Sequence, residues 1–286
     1  MEVYGKVHYV DKKERLFSVV VAGNLQYYHL TNKYMKDFKS YLYKQPYVCF
    51  EAKDEYCVHS NIKCREVDHF IKISQSTRRG VIVYYDLHDI QSSVKDLINQ
   101  DHNRLFLDLE FSLVSPKGYS ISEIIQYGIV LENKNGEIVY QSSSFVKPVY
   151  SNYINRQTMN FLSIDNSVFD NAISYIEFYQ LLEKLINDFD PKIIAWGKND
   201  CLSIEKSFKI NHLKPLDIRS RYMNLMHVIK NYYNYKQEMG LFNTYQDMTN
   251  IDLEKQSHDA LEDAVVERKI FHLFKEEINK ENKKEN

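Results

Sequence analysis

Two acidic residues interrupt an apolar run near the middle of the chain. Residues 105–111 read LFLDLEF, so that Asp108 and Glu110 stand two positions apart. Because side chains alternate along a strand, both carboxylates project from the same face and form half of a cation site. Charges on so apolar a strand are costly to bury unless they are paired or bind a metal. An exposed strand edge, or Lys and Arg partners, would explain them equally well.

A third carboxylate follows a later strand-like segment. Residues 193–200 read IIAWGKND, and Asp200 stands after the apolar segment and its glycine turn, where a helix is expected to open. Carboxylates at such positions are commonly helix N-caps. Taken alone, Asp200 is better explained as a cap than as a metal ligand.

A histidine and an aspartate stand near the end of the sequence. Residues 257–264 read SHDALEDA. Asp259 and Glu262 have the capping-box spacing of a helix that begins near Ala260. His258 then precedes the helix and Asp263 lies in its first turns, so that both can converge on one site. By itself this pair is a weak signal.

The combination and order of these segments is more specific than any one of them. An Asp-x-Glu on a first strand, an Asp after a later strand and a His-x4-Asp near the end resemble the DEDDh family of exonucleases. That family includes ribonuclease T, oligoribonuclease and the proofreading subunits of DNA polymerases. Residues 123–128 (EIIQYG) resemble the family's second strand, 145–148 (FVKP) the end of its third, and 258–264 its closing motif. The resemblance covers roughly residues 104–274 and leaves residues 1–100 unexplained.

The resemblance implies a ribonuclease H-like fold and a metal-dependent 3′-to-5′ exonuclease that acts on single-stranded DNA or RNA 3′ ends. It also implies two divalent cations, Mg²⁺ or Mn²⁺, which prefer carboxylate ligands. Asp108 would bridge both ions, with Glu110 and Asp263 supporting one and Asp200 the other. His258 would be the general base, since an imidazole can accept a proton near neutral pH.

One position departs from the family pattern. The family usually has threonine directly after the Asp-x-Glu, whereas this chain has Phe111 followed by Ser112. Because the residues after that glutamate help to seat the 3′-terminal base in the family, Phe111 and Ser112 are candidate substrate-binding residues. Phe111 either stacks against the base or returns to the core.

Two other functions remain to be weighed. One alternative is a catalytically inactive nucleic-acid-binding or scaffold protein on an exonuclease fold, but the intact set of five residues argues against it. Zinc binding by Cys57, His59, Cys64 and His69 is disfavoured, because no Cys-x2-Cys or His-x3-His pair is present.

The region after residue 100 has the pattern of an α/β domain with three layers, over residues 101–278. An Asn-Lys-Asn-Gly turn at 133–136 joins two of its strands, and Pro191 separates a long amphipathic helix from an apolar strand. The predicted strands are Arg104–Glu110, Glu123–Leu131, Glu137–Val146, Lys192–Trp196 and a short one around Pro215–Ile218, and the predicted helices are Ser174–Phe189 and one beginning near Ala260.

The region before residue 76 is rich in alternating Val, Tyr and Phe, which is typical of strands. Three strands, a helix with Asn32 as N-cap and two further strands predict a small all-β, OB-like barrel over residues 1–75. Residues 76–100 are expected to be a linker, helical at 93–99, and 279–286 a polar tail. The predicted strands are Glu2–Val10, Arg15–Ala22, Leu25–Leu30, Tyr47–Ala52 and Glu55–Ile73, the last in one or two pieces.

Aromatic and cationic residues are interleaved in this amino-terminal region. Such a surface can bind single strands without a basic net charge over the whole protein. Because strands alternate, about half of the rings must fill the barrel. Binding of nucleic acid and docking of a protein partner both remain open for this domain. The residues are Tyr4, Tyr9, Phe17, Tyr27, Tyr28, Tyr47, Phe50 and Tyr56, with Lys6, Lys53, Lys63 and Arg65.

The composition limits the class of protein. The chain has 286 residues, 44% of them hydrophobic, and a net charge of −2, so that nucleic-acid binding must depend on local patches and metal ions. No apolar stretch approaches the roughly 18 residues of a membrane span, and residues 1–10 lack the pattern of a signal peptide. The 4 cysteines do not form a disulfide framework. A globular cytoplasmic protein without a membrane partner is expected.

Overall fold

The computed structural model describes residues 1–113, 121–150, 154–251 and 258–285, and separate hydrophobic cores lie in its amino-terminal and carboxy-terminal parts. The chain divides into two units. The first comprises Met1–Val94 and Asn231–Lys236, and the second comprises Lys95–Lys230 and Gln237–Asn286. The domain bounds expected from the sequence, at residues 75, 100 and 278, stay a prediction.

A five-stranded barrel forms most of the first unit. Strand β1 pairs with β2 and β4, and β3 closes the barrel by a short parallel pairing with β5. Inward positions are apolar because the side chains alternate, and Phe17, Tyr28, Phe50 and Phe70 pack ring against ring in the core. The strands are β1 (Glu2–Asp11), β2 (Leu16–Val21), β3 (Asn24–His29), β4 (Tyr47–His59) and β5 (Ile62–Thr77).

Helix α1 (Asn32–Leu42) lies between β3 and β4, as predicted, but it is capped one residue earlier. Thr31 is in the extended conformation and its side chain accepts a hydrogen bond from the Tyr34 N–H, so Thr31, not Asn32, is the N-cap. Tyr34 and Leu42 of this helix are buried in the barrel core.

The segment predicted to be a linker contains two regular elements. Strand β6 (Gly80–Asp86) pairs with β5 across a turn, and Gly80 has a φ of +129°, which glycine adopts without strain. Helix α2 (Leu87–Asn99) follows, with Val94 and Ile98 buried. The helix is longer than the predicted 93–99. The prediction missed its first residues because the sequence is mostly polar and the apolar stripe is narrow.

A short segment from late in the sequence completes the first unit. The ammonium group of Lys236 lies 3.0 Å from a carboxylate oxygen of Asp68 and 5.7 Å from the centre of the Tyr34 ring. Gln91 donates a hydrogen bond to the carbonyl oxygen of Tyr232 at 3.1 Å. Residues 231–236 are therefore tied to the barrel by polar contacts.

A mixed five-stranded sheet forms the centre of the second unit, in the order β11-β10-β7-β8-β9. Its first three strands in sequence, β7 (Arg104–Phe111), β8 (Ile124–Glu132) and β9 (Ile138–Phe145), form the predicted antiparallel meander. Strand β10 (Lys192–Ala195) then pairs parallel to β7, and β11 (Tyr222–Asn224) parallel to β10.

The short strand β11 lies later than the predicted 215–218. Pro215 has no N–H to donate to a ladder, and residues 219–221 first form a 3-10 turn. The helices of this unit are α3 (Arg156–Leu162), α4 (Tyr175–Phe189), α5 (Asn199–Ile210), α6 (Leu225–Tyr232, which ends in the first unit), α7 (Leu241–Thr249) and α8 (Ala260–Glu285). Among the described residues, no helix combines the length and apolar character of a membrane span.

Helices cover both faces of this sheet. Leu105, Leu107 and Leu109 of β7 belong to a core with the apolar residues of α4 and α5. Phe106, on the opposite face, packs against Phe271 of α8 with ring centres 5.7 Å apart. The alternation that separates these faces places the carboxylates of β7 on the side of α8. The predicted mixed α/β fold is confirmed.

Candidate active site

Three carboxylates from two elements meet on the α8 side of the sheet. Oxygen atoms of Asp108 and Glu110, from β7, and of Asp263, from α8, all lie within 4.8 Å of one another. Asp108 and Glu110 are partly buried, and Asp263 is buried. The structure therefore brings together three of the four predicted metal ligands.

Asp200 lies in the first turn of α5 and is buried, with 7% of its surface exposed. It is not the N-cap of the helix, because Lys198 occupies that position without a side-chain cap. Its carboxylate is outside the three-residue group, yet its negative charge raises the pKa of both Asp108 and Glu110. Asp200 is therefore coupled electrostatically to two of the three clustered carboxylates.

The turn that leads to Asp200 is held at three points. The Trp196 backbone N–H donates to Oε1 of Glu267 at 2.8 Å, and the Trp196 indole donates to the carbonyl oxygen of Met239 at 2.9 Å. The Tyr222 hydroxyl donates to the carbonyl oxygen of Gly197 at 2.7 Å. These contacts fix the path of the backbone between strand β10 and helix α5.

The start of α8 lies against the backbone of β8. Gly128 is paired with Asp108 across the sheet, and a Cβ atom added at Gly128 would lie only 2.0 Å from the carbonyl oxygen of Ala260. The side chain of Gln126 donates to Asp259 at 3.0 Å, and Asp259 caps the helix by accepting the Leu261 and Glu262 N–H groups. The predicted helix start near Ala260 is confirmed.

His258 precedes this cap in an uncommon backbone conformation. Its φ is +50°, in the left-handed region, and its imidazole contacts the Phe161 ring at 4.4 Å between ring centres. Phe161 belongs to α3 and is 48% exposed. The ring contact packs the imidazole of His258 against helix α3. Nothing in the sequence indicated this partner, because α3 was not predicted.

Burial and mutual repulsion dominate the electrostatics of the site. Burial, followed by the charges of Asp200 and Asp263, raises the pKa of Asp108 well above its usual range. Burial and the charge of Asp263 raise the pKa of Glu110 to about 8. Burial raises the pKa of Asp200 to about 6, although backbone N–H groups, including that of Leu109, partly offset it.

The described part of the chain provides no cation to neutralise these groups: no Lys or Arg in it forms an ion pair with Asp108, Glu110 or Asp200. Clustered carboxylates are the oxygen ligands that hard divalent cations prefer. The residues present therefore fit a divalent metal site, which can activate water and stabilise negative charge.

A further buried acid beside the cluster was not anticipated from the sequence. Glu267 of α8 has no exposed surface, and burial together with the charges of Asp108 and Asp200 raises its pKa well above the usual range. Its position four residues after Asp263 places both on the same helix face. The sequence feature that could have identified Glu267 is an acidic residue within the apolar stripe of a helix.

The two residues after Glu110 have mainly structural contacts. Phe111 is partly buried and packs against the core shared with α4 and α5. Ser112 is buried, and its hydroxyl accepts a hydrogen bond from the Glu123 N–H at 2.9 Å. A direct role of Phe111 and Ser112 in substrate binding stays a prediction.

Residues 105–271, more than half of the chain, match the family model of RNase_T exonucleases. The chain is 26% identical over 177 residues to the probable 3′-5′ exonuclease KapD of Bacillus subtilis (strain 168), covering 60% of this chain and 84% of that protein. Its fold is similar to the nuclease domain of 3′hExo, a DEDDh family member bound to rAMP (TM-score 0.54, 15% identity, 61% of this chain and 92% of that one). It is also similar to exonuclease I of E. coli in a complex with single-stranded DNA (TM-score 0.50, 15% identity, 62% and 41%).

The raised pKa of Glu110 predicts a specific dependence of stability on pH in the absence of metal. The pKa is about 8 in the folded state against an ordinary value of 4.5. Between these values the folded state binds more protons than the unfolded chain, so the free energy of unfolding falls as pH rises. In thermal melts with EDTA, we expect Glu110→Gln to raise Tm, relative to wild type, more at pH 8 than at pH 5.

The exposed Glu238 provides the matched control. Glu238→Gln should change Tm by a similar amount at both pH values. An equal effect of Glu110→Gln at pH 5 and pH 8 would contradict the assigned electrostatics.

Proposed function

This chain belongs to the RNase_T exonuclease family as a 3′-5′ exonuclease of the DEDDh type, and on that premise we propose that it removes nucleotides from single-stranded 3′ ends with two divalent cations. The observation that carries this proposal is the group of Asp108, Glu110 and Asp263 carboxylates within 4.8 Å of one another. The ions are Mg²⁺ or Mn²⁺, which such oxygen ligands suit.

The metal ligands are proposed to be the four family carboxylates. Asp108, at the centre of the strand, would contact both ions, Glu110 and Asp263 would hold one, and Asp200 would hold the other. Bound ions of this kind lower the pKa of an attacking water and stabilise the charge on the leaving oxygen. Strand β7 and the first turns of α5 and α8 carry these carboxylates.

His258 is proposed to be the general base. A ring nitrogen of its imidazole would accept the proton of the attacking water, and the Phe161 ring, packed against it, would limit its rotation. His258 stands directly before the capping residue of α8, so the same helix start carries the base and, one turn later, the ligand Asp263.

The complexes of two structural neighbours support the proposal of a single-stranded substrate. The nuclease domain of 3′hExo was solved with rAMP and exonuclease I of E. coli with single-stranded DNA. One is a ribonucleotide and the other is DNA, so both sugars must be tested with this chain.

We expect Asp108→Asn to abolish metal-dependent hydrolysis while preserving the fold, because the central carboxylate serves the metal ions and not the core. The measurement is release of nucleotides from end-labelled single-stranded RNA and DNA, each with Mg²⁺ or Mn²⁺, beside a thermal melt. Asp188→Asn, at an exposed position of α4, is the control and should leave hydrolysis unchanged. Retained turnover in Asp108→Asn would refute the metal assignment. Absence of turnover in wild type on every substrate would favour an inactive scaffold.

Replacement of His258 should slow the chemical step and leave substrate binding largely intact. For loss of a general base we expect single-turnover rates of His258→Ala to fall by roughly 10²- to 10⁴-fold. Affinity is measured separately, in a catalytically inactive Asp108→Asn background. If His258→Ala lowered only the affinity, His258 would be a substrate contact and the proposed mechanism would be wrong.

The barrel of the first unit is proposed to be of the OB type and to hold single-stranded nucleic acid. Its strand order, with β1 between β2 and β4 and β3 closing on β5, supports this assignment. The first unit carries 15 Lys and Arg against 11 Asp and Glu, a formal charge of +4 in a chain whose net charge is −2. The positive charge therefore resides in the barrel unit and not in the unit with the acidic site.

The proposed nucleic-acid-binding surface of the barrel is centred on an exposed aromatic residue with two cationic side chains beside it. Tyr56 is 54% exposed, with the Lys63 ammonium 4.1 Å and the Arg65 guanidinium 3.8 Å from its ring centre. Phe17, Tyr28 and Phe50 are core residues, whereas Tyr4, Tyr9, Tyr47 and Tyr56 are exposed. Ring and cations together suit the bases and phosphates of a single strand better than an apolar protein surface.

Reversal of the two charges tests this binding role. We expect Lys63→Glu with Arg65→Glu to weaken binding of long single strands in the Asp108→Asn background and to reduce the slope of log K against log salt by roughly 1.4, two phosphate contacts at about 0.7 each. Cleavage of dinucleotides by the otherwise wild-type chain should not change. The exposed pair Lys134→Glu with Lys184→Glu makes the same charge change in the second unit. Equal affinity and slope for both double variants would leave protein docking as the better account.

A further inference from the structure

Glu267 is a buried acid for which the proposed reaction has no direct use. It stands one helical turn after Asp263 on α8 and has 0% of its surface exposed. Its Oε2 atom is buried and has no hydrogen-bond partner among the described residues. A buried carboxylate with an unsatisfied oxygen is costly, whereas an apolar side chain of similar size would pack here without that cost. The position therefore requires something that an apolar side chain cannot provide.

That property is a hydrogen-bond acceptor for the turn before Asp200. Oε1 of Glu267 accepts the Trp196 backbone N–H at 2.8 Å. Trp196 follows strand β10 directly and is followed, four residues later, by Asp200 in the first turn of α5. One side chain thus joins the helix that carries Asp263 to the backbone that carries Asp200.

We propose that Glu267 is a positioning residue of the metal site, which fixes the turn presenting Asp200 relative to the helix presenting Asp263. This inference rests on the proposed function, because Asp200 and Asp263 must reach the same pair of ions. Residues that orient metal ligands without touching the metal typically change metal affinity by about 10- to 100-fold when they are replaced. The effect of Glu267 should therefore appear in metal binding before it appears in folding.

Two other contacts keep the turn folded without Glu267. The Tyr222 hydroxyl still holds the Gly197 carbonyl oxygen, and the Trp196 indole still donates to Met239. Loss of the Glu267 acceptor therefore leaves only the Trp196 N–H without its hydrogen-bond partner. We expect Asp200 to shift together with the turn, which the Tyr222 and Met239 contacts still hold.

The experiment uses the full chain and Mn²⁺ as the probe, with two substitutions that separate the acceptor from the charge. Glu267→Gln keeps a side-chain oxygen for the Trp196 N–H but removes the charge, whereas Glu267→Met keeps the length of the side chain and removes the acceptor. Because a ligand that binds the folded state raises Tm, the Mn²⁺ concentration that gives half of the maximal rise reports metal affinity. Hydrolysis is measured over the same Mn²⁺ range.

We expect Glu267→Met to need about 10- to 100-fold more Mn²⁺ for its rise in Tm, and Glu267→Gln to need a concentration close to that of wild type. The buried Val266 provides the control on the same helix. Val266→Ala should lower the Tm without metal and leave the Mn²⁺ midpoint unchanged. Glu267→Leu replaces Glu267→Met if the latter does not melt cooperatively.

Each outcome has a distinct meaning. A wild-type chain whose Tm does not respond to Mn²⁺ would remove the proposed metal site and this inference with it. If wild type responds to Mn²⁺ and both Glu267→Met and Glu267→Leu respond at the same Mn²⁺ concentration, only the positioning role of Glu267 would be overturned. If Glu267→Gln lost Mn²⁺ as severely as Glu267→Met, Glu267 would act through its charge as a ligand, and the positioning role would be wrong.

Discussion

The direct contact between the first turn of α8 and the backbone of β8 is the constraint on which the candidate site depends. It exists because Gly128 has no side chain where the Ala260 carbonyl oxygen approaches, directly across the sheet from Asp108. Helix α8 carries Asp263 and directly follows the segment with His258. The contact brings this helix close to β7, the strand that carries Asp108 and Glu110. Any larger residue at Gly128 would separate these two elements, so the spacing of the carboxylates is set by backbone packing more than by the carboxylates themselves.

The clustered carboxylates destabilise the folded state. Burial and their mutual repulsion raise the pKa values of Asp108, Glu110 and Asp200, and in the absence of a cation each charge lowers the stability of the folded state. The surrounding core supplies the opposing stability, through the aliphatic residues of β7 packed on α4 and α5 and the contact of Phe106 with Phe271. A cation-binding site of this kind combines a cluster of mutually repelling carboxylates with a well-packed core that keeps the protein folded.

The sequence predicted best those features that depend on local periodicity. The alternation around Asp108 and Glu110, the turn before β9, helix α4 and the start of α8 follow from side-chain spacing, glycine turns and capping patterns, and all appear within one or two residues of the prediction. Helix α2 was assigned mostly to a linker because its apolar stripe is narrow, and α3, which carries Phe161, was missed. The role of Glu267 as an acceptor for Trp196 joins residues 71 positions apart, and no local pattern reports such a pairing.

The way in which the chain is shared between the two units affects how the protein is made. Residues 231–236 belong to the first unit, where Lys236 pairs with Asp68 and Gln91 bonds to Tyr232, although the sequence on both sides of them belongs to the second. On the ribosome, the barrel strands are synthesised before this segment, which follows strands β7 to β11 in the sequence. The contacts of residues 231–236 with the first unit can therefore form only after the strands of the second unit have been synthesised, and a gene fragment that ends at residue 94 would lack them.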